Sequence, residues 1–327
     1  LRQASVMQDE HETPAFDYYK KQRKWAASFL PIGGFLSTVF LWESVMSIDP
    51  HWYSTMFAWY STISLFLGGL ALMILVIIYM KSKGYLEYVT KEHLHDLGKY
   101  LFGISVFWTY LWFDQFMLIW YANVGEETIY FKERMEHYPV LFWGNLLLNF
   151  ITPFFILMRN DTKRKYGTMF FVCLIVFFGH WWDFFYMIKP GARIAAYEAK
   201  EISEGKHHGH EAAPLSSAAP ADHSTTAPAE HAEASAASHG ASAAGDHGDA
   251  HAADQHTDES KSFKMGFTIP GIPELGTMIG FLSLFLFFFF NQLQRASLVP
   301  MKDPFLEESL HHSTGVYDED GDGHHGH

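Results

Sequence analysis

The sequence predicts an all-α membrane protein with six transmembrane helices and one long disordered insert. Of its 327 residues, 49% are hydrophobic and 17% are aromatic. The apolar residues gather into runs of about 20, the length at which an α-helix crosses the hydrocarbon core of a bilayer. Six such runs, flanked by Lys and Arg and edged by Trp and Tyr, are not expected of buried helices in a water-soluble domain.

The six predicted spans lie near residues 25–48, 54–80, 98–121, 138–158, 168–188 and 274–294. They divide the chain into an N-terminal segment 1–24, a five-helix region 25–190, a loop 191–273, the last helix 274–294 and a tail 295–327. Because the first residue is Leu1 rather than Met, we expect the chain to be part of a longer polypeptide.

Positive charge is concentrated on the side of the membrane that holds both termini. It precedes the first span and fills the two loops and the tail on that side: Lys20, Lys21, Arg23, Lys24, Lys81, Lys83, Lys91, Lys99, Arg159, Lys163, Arg164, Lys165, Arg295 and Lys302. The opposite side has a short turn without Lys or Arg and a mainly acidic region, 122–137, predicted as a loop. The positive-inside rule therefore places both termini in the cytoplasm and segment 191–273 on the opposite side of the membrane.

Within that segment, residues 200–262 are of low complexity and rich in Ala, His and Ser. They contain too few large apolar residues to bury a core, so we expect disorder. The histidines could bind zinc or copper loosely, but they have no fixed ligand spacing, and a solvated linker is the preferred interpretation.

Ionisable residues inside the apolar runs carry the functional signal. Glu43, Asp114, Asp183 and His180 are expected about 9, 10, 9 and 13 Å below the outer rim of the bilayer, at 1.5 Å of rise per residue. Placing such groups in a membrane costs free energy, so they usually face a bundle interior or a water-filled cavity. We therefore predict a proton-carrying or ion-carrying cavity that these four residues share.

Several further polar residues are expected near this layer. Tyr110 and Asp114 are four residues apart, and His180 and Asp183 are three apart, so each pair shares a helix face. Asp49 and His51 would form the channel mouth, although an Asp-Pro turn explains them equally well. Hydrogen bonds that only fix helix packing are the favoured explanation for the polar residues expected to line the bundle: Asn145, Asn149, Ser61 and Ser64.

The same survey excludes several kinds of redox chemistry within this chain. His180 is the only histidine within a predicted span, whereas a membrane b-type haem usually takes two. Cys173 is the only cysteine, whereas iron–sulfur clusters need several thiolates. No Walker A, GxSxG or HExxH motif is present. We therefore expect no metal site and no catalytic activity of this chain alone.

Five stretches resemble the ActF subunits of bacterial alternative complex III, which belong to the NrfD-like (polysulfide-reductase-like) membrane family. They are MSIDPHW at 46–52, YMKSKGYLEYV at 79–89, HDLGKYLFGISVFWTYLWFDQFMLIWYANVGEE at 95–127, GHWWDFFYMIKPG at 179–191 and DPFLEES at 303–309. The resemblance implies a four-helix bundle of NrfD-like type. The family is expected to have ten helices, so a quinone site built from the first four is not assignable in this chain.

The resemblance also implies partners and a role. The complex oxidises menaquinol or ubiquinol and passes electrons through iron–sulfur clusters and c-type haems, which belong to other subunits. The implied partners are an NrfD-like sister subunit, an iron–sulfur subunit, c-type cytochrome subunits and a terminal oxidase; we expect contacts with membrane lipid and none with nucleic acid. Glu43, His180 and Asp183 are the first candidates for a proton pathway, with Asp114 and Tyr110 secondary. The alternatives are a purely structural scaffold and, ranked last, a free-standing secondary transporter.

Overall fold

The computed structural model describes residues 1–10, 16–49, 52–203, 269–295 and 297–313, the side chains of 197–203 excepted. The low-complexity insert, His51 and the acidic C-terminus lie outside the described residues. The described residues within 1–200 and 269–313 belong to one compact unit.

Every regular element in the described part of the chain is helical. In chain order the α-helices are α1 (Arg2–Asp9), α2 (Phe16–Ser44), α3 (Thr55–Ser82), α4 (Lys91–Ala122), α5 (Gly125–His137), α6 (Pro139–Leu146), α7 (Thr152–Leu157), α8 (Asn160–Arg164), α9 (Tyr166–Ser203), α10 (Ile272–Leu293) and α11 (Leu306–Leu310). A 3₁₀ turn, Met46–Ile48, extends α2, and a π-helical turn, Leu147–Ile151, joins α6 to α7.

Six of the described helical segments are long and apolar enough to cross a membrane, which confirms the predicted all-α membrane fold. They are Phe16–Ile48, Thr55–Ser82, Lys91–Ala122, Pro139–Leu157, Tyr166–Ala196 and Ile272–Leu293. Several extend beyond the apolar runs that identify them, because helical hydrogen bonds continue where the side chains become polar. Residues 125–137, predicted as part of a loop, form α5, whose acidic first turn and basic last turn complement the helix dipole.

The buried core joins four spans into a bundle: α3, α4, the α6–α7 pair and α9. Their fully buried side chains include Leu67, Leu101, Leu157 and Val172, one from each span. By contrast, α2 buries only Thr38 and Leu41, and α10 buries no residue. The two flanking spans therefore present apolar side chains outward, as helices in contact with lipid or with another subunit do.

Hydrogen bonds place the two termini of the described unit together. The amide of Gln8 donates to the carbonyl of Lys302 over 3.1 Å, and the N–H of Lys302 donates to Asp9, also over 3.1 Å. We call this the terminal end of the bundle, and the opposite end, where α5 lies, the α5 end. At the α5 end an ion pair between Lys189 and Glu274, 3.0 Å long, links α9 to the start of α10.

The π-helical turn between α6 and α7 has a local cause. Pro153 has no N–H to donate to the carbonyl of Asn149, and its ring would clash with that carbonyl in a regular α-helix. A π turn widens the helix at this point, as such turns often do at functional sites. The hydroxyl of Thr152 donates to the carbonyl of Leu147 over 2.9 Å and so satisfies one of the acceptors that the turn displaces.

Candidate functional site

The carboxyl group of Asp183 lies at the centre of a buried hydrogen-bond network inside the four-helix bundle. Its side chain is fully buried. Its Oδ1 atom accepts hydrogen bonds from the hydroxyl of Tyr60 and from the amide of Asn145, the latter over 2.7 Å. Its Oδ2 atom accepts a hydrogen bond of 2.7 Å from the hydroxyl of Ser64. Three donors from two other spans thus compensate for removing this carboxyl group from water.

Ser64 connects this carboxyl group to His180. Its Oγ atom lies 2.9 Å from Nδ1 of His180 as well as 2.7 Å from Oδ2 of Asp183. A serine hydroxyl has one proton, so when Ser64 donates to Asp183 it can only accept from His180. The far ring nitrogen of His180, Nε2, is buried without a hydrogen-bond partner among the described residues. The ring of Trp108 packs edge-on against the imidazole, 5.4 Å between centroids.

Asn149 extends the network toward the terminal end. Its amide donates to Oδ1 of Asn145 over 2.6 Å and to the carbonyl of Gly179 over 2.9 Å. A Cβ atom at position 179 would collide with the Asn149 side chain and approach Cβ of Leu148 to 3.0 Å. Gly179 therefore allows α9 to approach the π-helical turn closely enough for this hydrogen bond to form.

Beyond His180 toward the terminal end, the interior of the bundle is apolar. The buried side chains there include Leu67, Ile74, Leu101, Val172 and Val176. The buried hydroxyl of Ser105 in the same region donates to the carbonyl of Leu101 in its own helix. The polar network thus occupies the half of the bundle next to the α5 end, and an apolar layer separates it from the terminal end.

The structure divides the residues predicted to share one polar layer into a buried network and a set of side chains outside it. Ser64, Asn145, Asn149, His180 and Asp183 meet in the network described above. The hydroxyl of Ser61 is buried but donates to the carbonyls of Phe57 and Ala58 in its own helix, over 2.7 and 3.2 Å.

The other predicted members lie away from this network. Glu43 is exposed on α2, Tyr110 is 59% exposed on α4, and Asp114 is half-buried. None of these three side chains forms a hydrogen bond or an ion pair with the Asp183 network within the described residues. Asp49 is half-buried at the α5 end. Glu43 and Asp183 have similar predicted depths, but the side chain of Glu43 points out of the bundle that encloses Asp183.

Sequence reasoning missed two members of this region. Tyr60 is not among the predicted site residues. It precedes Ser64 by four residues and therefore shares its helix face, a signal that was available. Arg134, on α5, is 1% exposed and lies at the α5 end of the bundle. It was assigned to a loop, although the charge pattern of residues 125–137 favours a helix.

Comparison with known proteins adds no family to this geometry. No protein-family model matches the chain, and no curated protein matches it significantly.

Proposed function

We propose that this chain is an integral membrane subunit of a quinol-oxidising respiratory complex of the alternative complex III type, and that it contributes a proton-transfer half-channel. The observation that supports the half-channel is the continuous contact from Asp183 through Ser64 to His180, buried inside the bundle. The five sequence stretches that resemble ActF subunits support the assignment to the complex.

The contacts of Ser64 allow a proton to move without any side chain changing its rotamer. In the starting arrangement, protonated Asp183 donates to Ser64, and Ser64 donates to neutral His180 at Nδ1. When each donor passes its proton on, Asp183 becomes a carboxylate and His180 becomes an imidazolium. Ser64 then donates to Asp183 and accepts from His180, so both hydrogen bonds persist with their directions reversed. A neutral imidazole suits this role because its unprotonated ring nitrogen can accept a proton from a hydroxyl donor.

The apolar interior beyond His180 favours a half-channel, open at one end only, rather than a path that crosses the whole bundle. On the terminal side of His180 the network has no further titratable group among the described residues, because Asn149 carries an amide. Movement toward the α5 end leads through Asp183 and its neighbours on α3, α6 and α5. On the proposed orientation, with both termini in the cytoplasm of a bacterial inner membrane, that end faces the periplasm.

The wider assembly follows from the resemblance. The bundle of α3, α4, α6–α7 and α9 would be of NrfD-like type. The proposed partners are an NrfD-like sister subunit, an iron–sulfur subunit, c-type cytochrome subunits and a terminal oxidase. The iron–sulfur clusters and haem c groups would be carried by those partners, and the outward apolar faces of α2 and α10 offer surfaces for lipid or for other subunits.

A structural scaffold is the second candidate, and one observation favours it. The hydrogen bond from Asn149 to the carbonyl of Gly179 holds α9 against the π-helical turn and involves no titratable group. The scaffold and the half-channel differ in one consequence, because only the half-channel requires Asp183 to change its protonation state.

Assignment to the complex is tested by affinity purification of the tagged chain from its native membrane. We expect subunits with c-type haem and iron–sulfur clusters to co-purify and the preparation to oxidise a quinol with reduction of a cytochrome c or of oxygen. Purification of the chain as a single stable subunit without such partners would contradict the assignment.

A further inference from the structure

The buried polar atoms without a hydrogen-bond partner among the described residues include three on neighbouring side chains at the α5 end: the hydroxyls of Tyr130 and Tyr186 and Nε of Arg134. The three residues are 4%, 1% and 1% exposed. Buried polar groups in native proteins are nearly always paired, and ordered water is the usual partner of those that no protein group satisfies. Three unpaired groups on neighbouring side chains therefore point to ordered water between them.

The guanidinium group of Arg134 packs against both tyrosine rings, on the α5 side of Asp183. Its guanidinium carbon lies 3.3 Å from the ring centroid of Tyr130 and 5.4 Å from that of Tyr186. It donates to the carbonyls of Tyr130 and Met187, over 3.0 and 3.1 Å. Because Met187 follows Asp183 by one helical turn, this arginine lies roughly 6 Å of helix rise beyond the Asp183 network.

Further contacts lead from this cluster to Asp49 at the α5 end. The ring of Trp52 stacks on Tyr130 with 3.8 Å between centroids, and the backbone N–H of Trp52 donates to the carbonyl of Asp49 over 3.3 Å. A Cβ atom built on Gly191 would lie 3.4 Å from Cβ of Asp49, so Asp49 also packs against α9. Asp49 therefore packs against α9 and is linked to Tyr130 on α5 through Trp52.

Pro190 leaves the backbone carbonyl of Tyr186 free to accept a further hydrogen bond beside this cluster. Pro190 lies inside α9 and has no N–H, so the carbonyl of Tyr186 lacks its usual helical donor.

Burial raises the pKa of the Tyr130 phenol to about 12, with the Arg134 guanidinium opposing this shift and the charges of Asp183 and Asp49 adding to it. The Tyr130 hydroxyl therefore stays protonated at neutral pH, where it can donate one hydrogen bond to water and accept another.

We propose that Tyr130, Arg134 and Tyr186 enclose ordered water that connects the carboxyl group of Asp183 to Asp49, and that this water is the outlet of the half-channel. The first part concerns the protein alone, and the second rests on the proposed function. A proton leaves Asp183 by transfer to the nearest water while that water passes one of its own protons to the next. No oxidant or reductant is involved, and each water molecule is restored at the end of the transfer.

The water is tested by radiolytic labelling of the purified complex in ¹⁸O water, because hydroxyl radicals formed from bound water oxidise the side chains beside it. Met187 is 4% exposed and contacts Arg134 through its carbonyl, whereas Met169 is fully buried in the apolar part of the bundle. We expect Met187 to acquire ¹⁸O at least five times faster than Met169. Equal rates for the two methionines would overturn the proposal.

The outlet is tested with the double variant Tyr130→Phe/Tyr186→Phe, which removes only the two hydroxyls. We expect at least a threefold loss of Met187 labelling and at least a threefold slower proton release during quinol oxidation. Tyr53→Phe, at a 68% exposed tyrosine, is the matched control and should change neither. Unchanged proton release in the double variant overturns the outlet even when labelling is fast. The labelling result does not depend on proton transport, so a failure of the proposed function is distinguishable.

Discussion

The hydroxyl of Ser64 on α3 lies 2.7 Å from the carboxyl oxygen Oδ2 of Asp183 on α9. The same oxygen of Ser64 lies 2.9 Å from the imidazole of His180, one helical turn before Asp183. One small side chain thus links the two titratable residues of this network, which share a helix face but bond through a neighbouring helix. The proposed proton transfer depends on this link, which also joins α3 to α9.

Removing the Ser64 hydroxyl should break this link. In Ser64→Ala, Asp183 loses the protein donor to Oδ2 and His180 loses its partner at Nδ1, which should destabilise the bundle by about 1–3 kcal/mol. We also expect proton release during quinol oxidation to slow by at least tenfold. Thermal unfolding of the purified complex and a pH-indicator assay measure the two effects.

Ser61→Ala is the matched control for this variant. Ser61 is equally buried on the same helix, but its hydroxyl donates only to carbonyls of that helix. Its loss should change stability by less than about 1 kcal/mol and leave proton release as it is. Equal effects of the two serine variants would show that the link between Asp183 and His180 has no special role.

Close approach of α9 to the π-helical turn should make Gly179 intolerant of a side chain. In Gly179→Ala, the new methyl group would meet the Asn149 side chain and Cβ of Leu148, and such overpacking costs about 1–3 kcal/mol. In Gly69→Ala, the new Cβ has no neighbour within 4 Å, so stability should change by less than about 1 kcal/mol. The midpoints of denaturant unfolding compare the two; a Gly179 variant as stable as the Gly69 variant would refute the packing described here.

Replacement of Arg134 by lysine should test its forked hydrogen bonds. The guanidinium donates to two carbonyls at once, and an ammonium group on a flexible stem does not reproduce that geometry. Arg134→Lys should therefore lose about 1–3 kcal/mol, measured by thermal unfolding. Arg159→Lys, at a side chain that is 74% exposed, should change stability by less than about 0.5 kcal/mol. A similar loss in both variants would contradict a specific role for Arg134.

Single-cysteine labelling in intact cells tests the proposed orientation. Tyr53 and Lys83 are exposed at opposite ends of α3, and the native Cys173 is fully buried, so it should add little background. A membrane-impermeant maleimide should label Tyr53→Cys and spare Lys83→Cys until the cells are opened. Labelling of position 83 but not of position 53 would show that the orientation is the reverse of the proposed one.

The spans were predictable from sequence because the length and hydropathy of a run follow directly from the thickness of the bilayer. The direction in which each side chain points was harder to predict from the sequence. On α9, His180 and Asp183 are polar residues in an otherwise apolar helix that is buried within the bundle. On α2, Glu43 is just as polar against its surroundings, but α2 lies outside the bundle, and depth along a helix does not reveal which helices flank the core.

The site was incompletely predicted for two further reasons. Pro153 indicates where the helix deviates into a π-helical turn, but the contact of Asn149 with Gly179 depends on how α9 packs against that turn. Arg134 lies in a short helix outside the apolar runs, so a search confined to membrane spans does not consider it. Its burial becomes visible only when α5 is packed against α9.

The central claim is that Asp183 changes its protonation state during turnover, and Asp183→Asn tests it directly. The number of protons released per electron should be measured in the assembled complex, with Glu43→Gln as the control because Glu43 is exposed and contacts no described part of the network. The half-channel predicts a lower ratio in Asp183→Asn and an unchanged ratio in Glu43→Gln. An unchanged ratio in a normally assembled Asp183→Asn complex would contradict it and favour the scaffold.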